Sequence, residues 1–87
     1  MTTRNIKQCI EILRNAKSID DLLTVRNIFV SEKMINGDLD NAIRSHQQGN
    51  IEAMTLFIFG PSPITGGPGL MSFLEQQLRY NDARGIV

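Results

Sequence analysis

Cys9 and His46 are the two residues of this chain that could form a thiolate and imidazole pair for nucleophilic chemistry. On a helical count each falls on the apolar face of its segment. A thiol in that setting behaves as a small hydrophobe, and a histidine there is more often a hydrogen-bonded core residue. The pair reads as structural, and no catalytic residue is assigned. One Cys and one His also fall short of the three or four protein ligands a zinc site takes. No metal and no cofactor is expected. Asp20-Asp21 and Asp38 with Asp40 lie at helix starts, where capping and the helix dipole account for acids. Glu11, Glu32, Glu52 and Glu75 are scattered among basic or polar neighbours. The chain is read as a non-enzyme.

The stretch GPSPITGGPG, residues 60–69, holds three prolines and four glycines and raises the question of a phosphate-cradling loop. A P-loop requires a lysine directly after its glycines to reach the phosphates, and no lysine occurs after Lys33. Pro68 removes one N–H that a phosphate would use, and no strand precedes the loop as a dinucleotide-binding turn demands. The residues read instead as a stiff connector. Gly60-Pro61 ends an apolar segment, Ser62-Pro63 holds the chain extended and Gly66-Gly67 allows a turn. Ile64 stands alone at its tip as the apolar residue a partner would meet most easily.

Two sets of cations have a spacing of interest. Arg4, Lys7 and Arg14, with Lys17 at the edge, form a stripe on the first helix that could touch phosphates or an acidic partner. Glu11 interrupts it and no aromatic is interleaved for base stacking, so a solvated face is the simpler reading. Arg26 and Lys33 differ, because the helical count puts both inside the apolar face of the second helix. Their stems can snorkel outward; if that face meets a partner, Arg26 is the natural anchor. Met34, Met54 and Met71 add adaptable apolar surface.

These side chains must be positioned by helices. RNIKQCIEILRNAK after Thr3 places Ile6, Cys9, Ile10, Leu13 and Ala16 on one face and Arg4, Lys7, Glu11 and Arg14 opposite. Ser18 and SIDDLL open a second helix expected to run to about Ile35 and to stop at Asn36-Gly37. Ile19, Leu22, Leu23, Phe29, Val30 and Met34 share its face, while Val25, Ile28 and Ile35 point elsewhere. That is more apolar surface than one covered side needs, so the helix is either central or covered by a second copy of the chain. TVRNIFV as a strand is the alternative. Asp38 is expected to cap a third helix carrying Leu39, Ala42, Ile43 and His46 on one face. Gly49-Asn50 favours a break before IEAMTLFIF, one helix over 39–59 being the alternative; a short buried strand in MTLFIF would have no partner strand. The last helix, with Leu70, Phe73, Leu74 and Leu78 inward, starts at 68 with Pro68 as its first residue or at 72 with the Ser72 to Glu75 capping box. It is expected to fray through NDARGIV.

The whole is read as a single all-α domain, residues 1–87, a compact bundle of four to five short helices with the Pro/Gly-rich loop before the last. At 87 residues the domain is small, and 41% hydrophobic residues with five aromatics and no Trp require a core of Ile, Leu, Val and Met. Nine basic and nine acidic residues cancel, so no global field draws the chain to nucleic acid or an anionic membrane. The lone Cys9 fits a reducing compartment, polar residues interrupt the apolar runs at the start of the chain, and the long uncharged stretch is broken by Pro and Gly and cannot span a bilayer. A cytoplasmic protein is expected. The function that follows is binding of another macromolecule, most simply a protein, by an adaptor, regulator or inhibitor able to form a homodimer. Viral and plasmid-borne inhibitors are small neutral chains of this kind. The tentative partner-binding residues are Arg26, Lys33, Ile64 and Met71. The alternative is a nucleic-acid-associated helical domain using Arg4, Lys7 and Arg14.

Overall fold

The computed structural model describes residues 1–16 and 18–86. Five helices make up the described chain: α1 (Thr3–Arg14), α2 (Ile19–Ser31), α3 (Gly37–Gln47), α4 (Ile51–Phe59) and α5 (Leu70–Ala83). α1 packs on α2 and α5, α2 continues onto α3, and α3 and α4 form a helical hairpin whose second arm rests on α5. The body measures 40 × 26 × 21 Å. This is the all-α bundle the periodicity predicts. Ile6, Cys9, Ile10 and Leu13 are buried on α1 as expected, and Leu22 and Phe29 on α2; Val25, expected to point away from that face, is fully buried as well, because α2 packs on both α1 and α3. Phe29 meets Phe73 of α5 with ring centroids 6.3 Å apart and planes tilted by 42°.

α2 ends four residues earlier than its apolar pattern suggests. Lys33 adopts φ 57°, its N–H donates to the Val30 carbonyl (3.0 Å) and the Met34 N–H donates to the Phe29 carbonyl (2.9 Å). These two bonds close a left-handed helix terminus usually given to glycine, and they fold Met34 back against the core. Lys33 is thus exposed beyond the helix instead of sitting within its apolar face. Val30 and Ile35 are also turned outward, at 65% and 90% exposure, where Val30 was expected to share the buried face.

The residue that starts α3 is Asn36, two positions before the expected Asp38; its Oδ1 accepts from the Leu39 N–H at 3.2 Å. Gly37 is therefore the first helical residue and not a stop. The break before α4 occurs where Gly49-Asn50 signals it. Gly49 takes φ 77°, the Asn50 N–H donates to the Ser45 carbonyl (2.9 Å), and Asn50 Oδ1 in turn accepts from the Ala53 N–H (3.1 Å). One asparagine thus closes α3 and opens α4. MTLFIF is helical, with Phe57 and Ile58 buried.

α5 starts at Leu70, between the two expected positions. Gly69 precedes it because the connector passes too close for a side chain. A Cβ there would lie 2.7 Å from the Gly60 nitrogen and the Ile58 carbonyl oxygen. Nor does the end of α5 fray within 81–83. Asn81 is 2% exposed, and its Nδ2 donates to the Met1 carbonyl (2.7 Å) and to Thr3 Oγ1 (3.4 Å). The Thr3 hydroxyl donates to the Ile86 carbonyl at 2.7 Å. Beside this tie, the Glu32 carboxylate accepts from the Thr2 N–H (2.7 Å) and Asn5 Nδ2 (3.0 Å) and lies 3.6 Å from the Met1 amino group. The start of α1 is thereby fastened to the ends of both α2 and α5.

Candidate functional site

Cys9 is fully buried in the core. Burial, with a smaller contribution from the Glu32 charge, pushes its thiol up to about 11, so the sulfur stays protonated at neutral pH and is a poor nucleophile. His46 lies half-buried in the last turn of α3, a helix that packs on α2 and α4, whereas Cys9 sits on α1. Among the described residues the two share no hydrogen bond, and no cluster of three or more His, Cys, Asp or Glu side chains has the arrangement of a metal site.

The Pro/Gly loop uses its own N–H groups. The Ser62 N–H donates to the Gly67 carbonyl and the Gly66 N–H to the Ser62 carbonyl, each at 2.8 Å. Ser62 Oγ, buried with its residue, accepts from the Ile64 and Thr65 N–H groups, both at 3.4 Å, and Thr65 Oγ1 accepts from the Gly67 N–H at 3.2 Å. With those donors turned inward, the loop offers an anion no converging set of amides. It is a stiff connector that displays Ile64 at 69% exposure. Met71, at the other side of the loop, is 8% exposed and belongs to the core, so it is not available to a partner on this fold.

Arg4, Lys7 and Arg14 are all exposed on α1, and Lys17 lies outside the described residues. Thr3, Arg4, Lys7, Gln8 and Glu11 border a depression of about 660 Å³, which is an open helix flank. The adjoining furrow between α1 and α5, about 460 Å³, takes in Lys7 and Arg14 but also Glu11 and Glu75. Carboxylates interleaved at that spacing cancel most of the local field that phosphates would feel.

A different surface forms where α2 turns into α3. Arg26, Phe29, Val30, Met34, Ile35, Asn36, Leu39 and Asp40 line a groove of about 140 Å³. It continues into a second depression of about 250 Å³, bordered by Arg26, Asp40, Ile43, Arg44 and Gln47. The groove exists because α2 stops at Ser31 and the chain turns at Lys33. Met34 then fills the floor beside Phe29 and Leu39, and the short connector lifts Ile35 onto the rim. Arg26 and Asp40 border both depressions, one from each helix, yet neither side chain has a hydrogen-bond or ion-pair partner among the described residues. Arg44 Nη1 donates to Asn41 Oδ1 at 3.2 Å.

Arg26 is the one sequence-predicted partner residue that the fold brings into this groove; Lys33, Ile64 and Met71 do not line it. Ile35 and Asp40 are the members that periodicity overlooked. The available signal was Asn36: read as the cap of α3, it leaves Ile35 outside both helices and sets Asp40 within the first turn of α3 instead of beside its cap. No helix of the described chain is long and apolar enough to cross a membrane. No protein-family model matches this chain, and no curated protein or solved structure is detectably similar to it.

Proposed function

We propose that this chain is a non-enzymatic protein-binding module, an adaptor, regulator or inhibitor, whose contact surface is the α2–α3 groove. The observation that carries the reading is the exposure of Val30 (65%) and Ile35 (90%) on the rim of an apolar floor, with Arg26 at its edge. Contiguous apolar surface rimmed by polar groups marks interaction sites, and arginine beside an apolar centre is the composition of an interface core. Covering the two side chains would return about 1–2.5 kcal/mol each, scaled from the value of a fully buried aliphatic residue. The unreactive setting of Cys9 agrees with a non-catalytic role, and a single buried thiol agrees with a cytoplasmic setting.

A photo-crosslinking residue placed at position 35, with one at position 7 as control, tests this reading. Adducts should form from position 35 and be lost when Val30→Asp is added to the same chain, with the thermal melt unchanged. Adducts forming equally from position 7, or surviving Val30→Asp, would overturn it. The second reading, nucleic-acid binding through Arg4, Lys7 and Arg14, draws on their common exposure along α1. Binding of DNA or RNA that weakens steeply with salt would support it; no detectable binding at low salt would end it.

A further inference from the structure

We infer that the occupant of the α2–α3 groove is a second copy of this chain, paired about a two-fold axis so that Arg26 of each protomer meets the partner's Asp40. The inference rests on the groove being the contact surface and adds the identity of what covers it.

Charge selects the occupant. The apolar part of the groove presents one cation and one anion, Arg26 on α2 and Asp40 on α3, both lacking a side-chain partner among the described residues, while Arg44 of the adjoining depression is held to Asn41 Oδ1. An acidic partner would satisfy Arg26 and be repelled by Asp40; a basic one would do the reverse. The surface required is one with an acid and a base exchanged across it. The chain's own groove is such a surface, because a two-fold axis sets residue i against j and j against i. The other residues lining the apolar part of the groove are uncharged, so self-pairing places no like charges together there. It also covers Val30 and Ile35 with their own counterparts.

Analytical ultracentrifugation of the full chain and of two charge reversals tests the inference. Wild type should show a reversible monomer–dimer equilibrium. Arg26→Asp and Asp40→Arg each replace two opposite-charge contacts by two like-charge ones, so each variant alone should dissociate more readily by about tenfold or more. Mixed in equal amounts the two variants should recover the dimer, since every contact in the mixed pair is again between opposite charges. The doubly substituted chain should also dimerise. The mixing step separates lost pairing from lost folding, because an unfolded chain cannot be rescued by its counterpart. A wild type that is monomeric over about a hundredfold concentration range, reversals that leave the dimer intact, or a mixture that stays monomeric would each overturn self-pairing. A monomeric wild type whose position-35 adducts are still abolished by Val30→Asp would overturn self-pairing while leaving the groove as the contact surface.

Discussion

Glu32→Gln isolates the tie that holds the end of α2 to the start of α1. Glu32 accepts two hydrogen bonds, from the Thr2 N–H at 2.7 Å and from Asn5 Nδ2 at 3.0 Å, and lies 3.6 Å from the Met1 amino group. Its side chain is 16% exposed, so solvent screens the charge only in part. Burial by itself would raise the carboxyl pKa. The bonds from Thr2 and Asn5 and the charge on the Met1 amino group outweigh it and hold the group below its ordinary value of 4.5. Glutamine keeps one acceptor oxygen but loses the second acceptor and the charge. Taking the lower range for bonds to a charged group, the loss is about 1–2 kcal/mol. For a domain of this size that corresponds to a fall in melting temperature of about 5–11 °C.

The sign with pH follows from the lowered pKa. The carboxylate's contribution is fully present above the unfolded value and is lost as pH falls through the lower folded value. Urea denaturation of wild type and Glu32→Gln at a series of pH values should show a gap at neutral pH that closes below about pH 4. Equal stability at neutral pH would refute the reasoning, and so would a gap that persists unchanged at pH 3, since a protonated Glu32 and a glutamine then differ little.

Gly69→Ala places a Cβ within 2.7 Å of the Gly60 nitrogen and the Ile58 carbonyl oxygen; backbone atoms cannot step aside, so denaturation should show a loss of about 3 kcal/mol. Lys33→Gly relieves a left-handed backbone at φ 57° and should stabilise by about 0.5 kcal/mol after glycine's entropic cost, read as a higher urea midpoint. Native Cys9, its thiol raised from 9.0 to about 11, should react with a soluble disulfide reagent at least about 100-fold more slowly than the urea-unfolded chain at the same pH. Ile64→Asp, at a site 69% exposed, should change stability by less than about 0.5 kcal/mol and leave dimerisation in the ultracentrifuge unchanged, as expected of a connector outside the groove.

Local pattern alone determined much of this protein. Ile6, Cys9, Ile10 and Leu13 repeat at helical spacing, and the face they predict is the face that α1 buries. Gly49-Asn50 carries its own stop and start, because glycine reaches a left-handed φ cheaply and asparagine caps with its side chain, both effects confined to a few neighbouring residues. The Pro/Gly loop was legible for the same reason.

The groove was not. α2 ends at Ser31 because the chain turns at Lys33, Met34 folds back beside Phe29 and Glu32 reaches Thr2 and Asn5, contacts spanning about thirty positions in the case of Glu32. No local propensity announces a left-handed lysine. Once that end is fixed, Val30 and Ile35 face outward and Arg26 comes beside Asp40 from the next helix. The sequence determined which residues are apolar and which segments are helical. Which apolar residues stay uncovered was decided only by where the helices stop and what they pack against, and packing depends on contacts between segments distant in the chain.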